Sequence, residues 1–216
     1  MYSLFVDTHY LNLVVVLYKD GIVVDKIELI NIRNQSEYLV PNIKKILDNH
    51  QITTHDLSEI IVVNGPGSFT GIRIGLTIAK TLAWAKNIPI IPISSLEAMA
   101  LSSDGEYDYV APAIDARRGF VYASIYDVKN NSFVMNEKHI LLDTLNVALD
   151  SLVGDICFIS NDKLDTEYDV QPYDPKIEKI VERVKDREGV NPHAVDANYL
   201  KITEAEEKKL SEKEND

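Results

Sequence analysis

The chain has 216 residues, of which 45% are apolar, and a formal net charge of −12. That length holds one large domain or two smaller lobes around a sizeable core. With 34 acids against 22 bases and no basic block, the composition excludes a protein that grips nucleic acid by neutralising its phosphates; service to an RNA would run through a partner.

The single cysteine, Cys157, rules out an internal disulfide and, in its apolar run, reads as a small core residue. No apolar run approaches a membrane span, and the N-terminus lacks the basic segment of a secretory signal, so a reducing cytoplasm is expected.

Taken in order, residues 3–6 read as a strand, Asp7-Thr8-His9-Tyr10 as a turn and residues 11–18 as a second strand. Lys19-Asp20-Gly21 makes a hairpin turn into a third strand over 22–30. A helix over 36–50, capped by Ser36, has an apolar face of Tyr38, Leu39, Ile43, Ile46 and Leu47, with Pro41 tolerated near its first turn. The β-branched run 60–63 predicts a buried strand, ended by Asn64-Gly65-Pro66-Gly67. A helix follows over 68–85, capped by Ser68 or Thr70. Along it Gly71, Gly75, Ala79 and Ala83 form a stripe with almost no side chain, while Ile72, Leu76, Leu82 and Trp84 lie on other faces. Such a helix is expected to be covered twice, once by a core and once by a second helix on the bare stripe. Residues 88–93, with Pro89 and Pro92, predict a short edge strand. Ser94-Ser95-Leu96-Glu97 fits a capping box that opens a helix to Leu101.

Ser102-Ser103-Asp104-Gly105 reads as a joint, dividing the chain into lobes of 1–103 and 104–216. At a constant offset of 108 residues the opening repeats: Asp7 falls on Asp115, Leu17 on Ile125 and Tyr18 on Tyr126. The second lobe continues with a strand near 133–140, a helix near 144–152, a strand over 155–160 and a helix near 174–187. It is more polar than the first and ends in a charged tail over 203–216, where no function is placed.

A strand ending in Asp before a tight turn is where sugar kinases, actin-like ATPases and ribonuclease H-like enzymes hold a metal or phosphate. Asp7 and Asp115 fit that role across a cleft, and they equally fit carboxylates satisfying turn amides. The glycine turn before the helix offers amides to an anion, but Ile72-Arg73 stands where a P-loop has Lys-Ser/Thr. Its glycines fit close packing better. The five histidines have no zinc spacing, and Ser68 lacks a nucleophile elbow. Arg117 and Arg118 suit a phosphate contact or a charged turn.

Asn64-Gly65-Pro66-Gly67-Ser68-Phe69-Thr70-Gly71-Ile72-Arg73-Ile74-Gly75, with Ala79-Lys80 and Ile93-Ser94-Ser95-Leu96-Glu97, resembles the signature of the TsaB (YeaZ-type) family of bacterial tRNA threonylcarbamoyladenosine synthesis. Asp7-Thr8, residues 36–41, Asp115-Ala116-Arg117 and Val121-Tyr122 add to the match; beyond Asp127 only Tyr199-Leu200-Lys201 does. The chain departs from the family at His9, Gln35 and Lys201, where the family usually has Ser, His and Arg.

The resemblance implies an α/β fold of two ribonuclease H-like lobes of the actin/sugar-kinase/Hsp70 type, the second reduced. It implies a non-catalytic subunit that pairs with a TsaD-type catalytic subunit. Together with a TsaE-type ATPase, that pair modifies adenosine 37 of tRNA, which this chain meets only indirectly. The partner interface, or a homodimer through the same helix, would use Phe69, Gly71, Ile72, Gly75, Leu76, Ala79 and Ala83. No cofactor is expected to be held tightly; a nucleotide, ATP or ADP, at the complex interface would meet Asp7, Thr8 and Asp115. The alternative is an ATPase or kinase-like enzyme using Asp7 and Asp115 with Mg²⁺.

Overall fold

Leu4, Phe5 and Val6 are all fully buried, although successive side chains of a strand point to opposite faces. Their sheet must therefore be covered on both sides. They lie in β1 (Tyr2–Asp7) of a computed structural model that describes residues 1–201. β1 is the central strand of a five-stranded sheet with β2 (Leu13–Lys19), β3 (Ile22–Leu29), β4 (Leu57–Val63) and β5 (Ile90–Ile93), in the order β3-β2-β1-β4-β5. The β1–β2 and β2–β3 pairs are antiparallel; β4 and β5 add in parallel. The meander, its Lys19-Asp20-Gly21 turn with positive φ at Asp20 and Gly21, and the edge position of β5 agree with the sequence reading.

A second five-stranded sheet contains β6 (Tyr109–Arg117), β7 (Phe120–Asp127), β8 (Ser132–Leu141), β9 (Ile156–Ile159) and β10 (Val170–Gln171). Its order, β10-β9-β6-β7-β8, is that of the first sheet counted from its own first strand. The offset of 108 therefore marks a repeat of topology. The hairpins differ in register: Asp7 pairs with Val14, but Asp115 pairs with Val121 rather than Tyr122. Residues 8–12 separate β1 from β2, whereas β6 turns tightly into β7 through Arg118-Gly119. Asp115 consequently lies inside β6 and exposed, not at a strand end as expected.

Helices α1 (Gln35–Asn49) and α2 (Phe69–Lys86) cover one face of the first sheet. Leu39, Ile43, Ile46, Ile72, Leu76, Ala79 and Ala83 pack there on Leu4, Val6, Val15, Ile60 and Val62. α3 (Ser95–Leu101) is buried almost all round because it serves both sheets. Ala98 joins Phe5, Val16 and Ile61, while Leu96, Met99 and Ala100 join Val110, Ile114 and Cys157. α4 (Leu142–Asp150) sets Leu142, Leu145 and Leu149 on the remaining face of the second sheet.

α5 (Ile177–Val184) follows the second sheet in sequence but packs on the first. Ile177, Ile180, Val181 and Val184 join Phe5, Val14, Val16, Ile61 and Val63, each such burial stabilising by about 1.5–3 kcal/mol. The chain then rounds the sheet edge. Val190 exchanges two backbone hydrogen bonds with Ile90, at 3.0 and 2.8 Å, and Val195 enters the core beneath α2.

Three local expectations are corrected. α1 begins at Gln35 after Asn34, and Ser36 stands exposed within the helix instead of capping it. Pro41 sits in the second turn, where it forfeits the bond to the Glu37 carbonyl; both residues are exposed, so water can satisfy that oxygen. Ser94 caps α3 by accepting from the Leu96 N–H, but Glu97 does not close a capping box. Its carboxylate instead accepts from Arg183 Nε at 3.1 Å and from Arg187, tying α3 to the α5 region. The charged tail over 203–216 lies outside the described residues. Among the described residues no helix is long and apolar enough to cross a membrane.

Candidate functional site

The stretch from β4 to α2 holds the residues the sequence singles out. After Val63 the chain turns through Asn64-Gly65-Pro66-Gly67, and Ser68 caps α2 by accepting from the Gly71 N–H at 3.2 Å. The helix ends at Asn87 in the left-handed region, φ 54°, with its N–H on the Trp84 carbonyl.

The glycine–alanine stripe faces inward. A Cβ at Gly71 would stand 2.1 Å from the Thr8 carbonyl oxygen, and one at Gly75 2.4 Å from Thr8 Oγ1. Thr8 Oγ1 donates to the Gly71 carbonyl at 2.7 Å. The missing side chains admit the β1–β2 turn of the same chain, so the expected second cover is intramolecular. Gly71, Ile72, Gly75, Leu76, Ala79 and Ala83 are thus core residues, and only Phe69 of the seven interface candidates is exposed.

The nucleotide candidates are placed unevenly. Asp7 is buried, and its Oδ1 accepts from the His9 N–H at 2.9 Å and meets His9 Nδ1 at 2.6 Å. Thr8 is fully buried and committed to Gly71. Asp7, His9, Tyr10, Asn12, Asn161 and Tyr173 line a cavity of only about 10 Å³, room for about one water. Asp115 is exposed; its Oδ1 accepts from the Arg117 N–H, and its own N–H donates to Asp162 Oδ2, both at 2.8 Å. Tyr10 Oη donates to the same Asp162 carboxylate, which links the first turn to the second half of the chain. Burial, then that carboxylate, push the Tyr10 hydroxyl well above its usual range. Arg117 and Arg118 form the left-handed hairpin turn, φ 69° and 56°.

The outer face of α2 carries exposed residues of which the sequence reading singled out only Phe69 for an interface. Phe69, Thr70, Arg73, Thr77, Thr81 and Trp84 are exposed along it. The Arg73 guanidinium lies 3.6 Å from the centre of the Phe69 ring, and its Nε donates to Tyr199 Oη at 2.8 Å. Phe69 and Tyr199 stack with centroids 5.5 Å apart. At the far end Trp84, 65% exposed, borders a groove of about 290 Å³ with Lys80, Thr81, Pro192 and His193. One signal for this face was available: α2 contains Arg73, Lys80 and Lys86 and no acid, in a chain of net charge −12.

Tyr199 is held in place from the second sheet. Asn198 donates its N–H to the Asn64 carbonyl and its Nδ2 to Glu137 Oε2 on β8, each at 2.8 Å. Burial raises the Glu137 carboxyl above its ordinary range, against the lowering effect of hydrogen bonds from Ser94 and Asn198.

Comparison with known proteins places this geometry. Residues 28–199 match the family model described as TsaD, tRNA N6-adenosine threonylcarbamoyltransferase. The chain is 30% identical to the tRNA threonylcarbamoyladenosine biosynthesis protein TsaB of Bacillus subtilis over 96% of its own length and 97% of that protein's. It is 34% identical to the Escherichia coli TsaB over 140 residues, 64% of this chain and 60% of that one. Its fold is shared with the solved structure of YeaZ from Pseudomonas aeruginosa, at a TM-score of 0.74 and 22% identity, covering 92% of this chain and 99% of that one. With a relative matched from end to end and the signature turn packed as described, the chain belongs to the TsaB (YeaZ) family of tRNA threonylcarbamoyladenosine biosynthesis proteins.

Proposed function

We propose that this chain is the non-catalytic partner of a TsaD-type subunit in the synthesis of N6-threonylcarbamoyladenosine at position 37 of tRNA. The observation that carries the reading is the state of Asp7 and Thr8. Both are buried, and both are bonded within the chain. Chemistry on a phosphate would need them turned toward a ligand. What the chain offers instead is the outer face of α2, with Phe69, Arg73 and Trp84 exposed on a helix anchored in its own core. Aromatic and arginine side chains on a rigid element are the composition of a protein-binding surface.

In this reading the two sheets belong to two lobes of the actin/sugar-kinase type, joined near residues 102–105. The TsaD-type subunit performs the transfer, a TsaE-type ATPase completes the assembly, and tRNA meets the complex mainly elsewhere, as the net charge requires. Reconstituted transfer of threonylcarbamoyl to tRNA, with and without this chain, tests the proposal. Transfer should need the chain, and the chain alone should show none. Turnover of ATP by the isolated chain, lost in Asp7→Asn, would overturn the reading in favour of an enzyme.

A further inference from the structure

Two sheets on one chain need a joint, and this chain crosses between them twice. It passes outward over 102–108, from α3 to β6, and returns over 172–176, from β10 to α5. We infer that the joint is locked, with α3 as a rivet and the Glu97 carboxylate as the bond that fastens it. The two sheets then hold one fixed orientation instead of swinging about a hinge, whatever the chain binds.

The crossings lie side by side and are tied to each other. The Lys176 N–H donates to Ser102 Oγ at 3.1 Å, and Lys179 Nζ donates to the Ser103 carbonyl at 2.8 Å. Lys176 Nζ also bridges Asp104 Oδ2 at 3.1 Å and Asp174 Oδ2 at 2.7 Å. A hinge absorbs rotation in a few residues whose backbone is free to change. Here the residues that would turn are bonded to the other crossing.

α3 is fastened unequally to the two sheets. To the second it gives Leu96, Met99 and Ala100, buried with Val110, Ile114, Tyr126 and Cys157. To the first it gives only Ala98 and a half-buried Leu101. By apolar contact alone α3 would follow the second sheet, and the chain would part between α3 and the first. Glu97 opposes this. Its buried carboxylate accepts from Arg183 Nε at 3.1 Å and from Arg187. Both arginines belong to the α5 region, which Ile177, Ile180, Val181 and Val184 seat on the first sheet. Removing a buried carboxylate from two guanidiniums leaves charges without their partner, so the fastening is hard to break.

The other ties across the boundary are weaker. Tyr10 Oη donates to Asp162, and Asn198, bonded to the Asn64 carbonyl, reaches Glu137 on β8. Each is a single hydrogen bond between part-buried groups, which adds less than a buried ion pair bonded twice. The orientation of the sheets therefore turns on Glu97.

Spin labels on the two halves of the full chain test the lock. Ile22, at the edge of the first sheet, and Val147, on α4 against the second, are both exposed, so Ile22→Cys and Val147→Cys accept nitroxides; the native Cys157 is buried and stays unlabelled. Dipolar electron-spin spectroscopy then reads the distance between the labels. The parent should give one narrow distribution, and Glu97→Ala should broaden it about twofold or more. Arg187→Gln, which removes one of the two guanidiniums at a partly exposed position, should broaden it by a smaller amount. Leu145→Ala weakens the core of the second sheet without touching the joint, so it should leave the distribution narrow. A broad or double distribution in the parent would overturn the inference, as would Glu97→Ala as narrow as the parent. Equal broadening in Leu145→Ala would also overturn it, since Glu97 would then act only through stability. If Glu97→Ala does not fold, Arg187→Gln decides in its place, and an unchanged width there refutes the lock.

Discussion

Thr8 and Gly71 hold each other at the closest backbone approach in the candidate site. Thr8 Oγ1 donates to the Gly71 carbonyl at 2.7 Å, and the Thr8 carbonyl oxygen stands 2.1 Å from where a Cβ on Gly71 would be. Gly75 makes the corresponding approach to the Thr8 hydroxyl at 2.4 Å. Alanine at either position gains about 1 kcal/mol of helix propensity and meets a steric clash. Against backbone the clash has no cheap relief, so Gly71→Ala should destabilise by about 3 kcal/mol. Gly75→Ala, against a side chain, should cost less, about 1–2 kcal/mol. Urea unfolding would measure both; a stability gain in either variant would contradict this packing. Charged substitutions here would abolish binding by unfolding α2 and so cannot report on an interface.

Pro41 makes the opposite prediction. It lies in the second turn of α1 on the exposed side, with no N–H to offer Glu37. Pro41→Ala restores that bond while releasing the unfolded chain. The net effect should be a gain of about 1–2 kcal/mol, read as a higher thermal midpoint.

Glu137 gives the fold a pH dependence of known sign. Burial raises its carboxyl above the ordinary 4.5, so the folded chain holds this proton more tightly than the unfolded one. Its contribution is present in full below 4.5 and is lost as pH rises through the raised value. Urea midpoints of the parent, compared with Glu137→Gln, should diverge across that window, the variant showing the flatter profile. Parallel profiles would remove Glu137 from the account.

Cys157 is 1% exposed, and burial pushes its thiol up to about 11. A thiol that keeps its proton is a poor nucleophile. A disulfide reagent at about pH 8 should leave the native chain unmodified and label it stoichiometrically once denatured. Fast labelling of the native chain would show that β9 opens.

The fold was largely legible because its strands are strongly patterned. The run 60–63 and the meander over the first thirty residues sit where their β-branched residues and turn glycines predict. The offset of 108 anticipated the shared strand order but not the one-residue change of pairing, which depends on how tightly Arg118-Gly119 turns. Of the seven interface candidates, all but Phe69 lie on the side of α2 that this chain itself covers. Small residues at four-residue spacing say that something comes close; whether it is another molecule or Thr8 of the same chain depends on contacts between residues more than sixty positions apart. Glu97 misled for a related reason, since a Glu three residues after a Ser predicts a local bond, and Arg183 and Arg187 outcompeted it from far down the chain.

The passage of α5 back onto the first sheet has a consequence for biosynthesis. Phe5, Val14, Val16 and Ile61 are made early, yet the helix that covers them, with Ile177, Ile180, Val181 and Val184, leaves the ribosome more than a hundred residues later. The first half must wait with an apolar face uncovered, a condition that invites chaperones and aggregation. Expressed without its last quarter, the chain should be recovered mainly in inclusion bodies, and supplying α5 in trans should return part of it to solution.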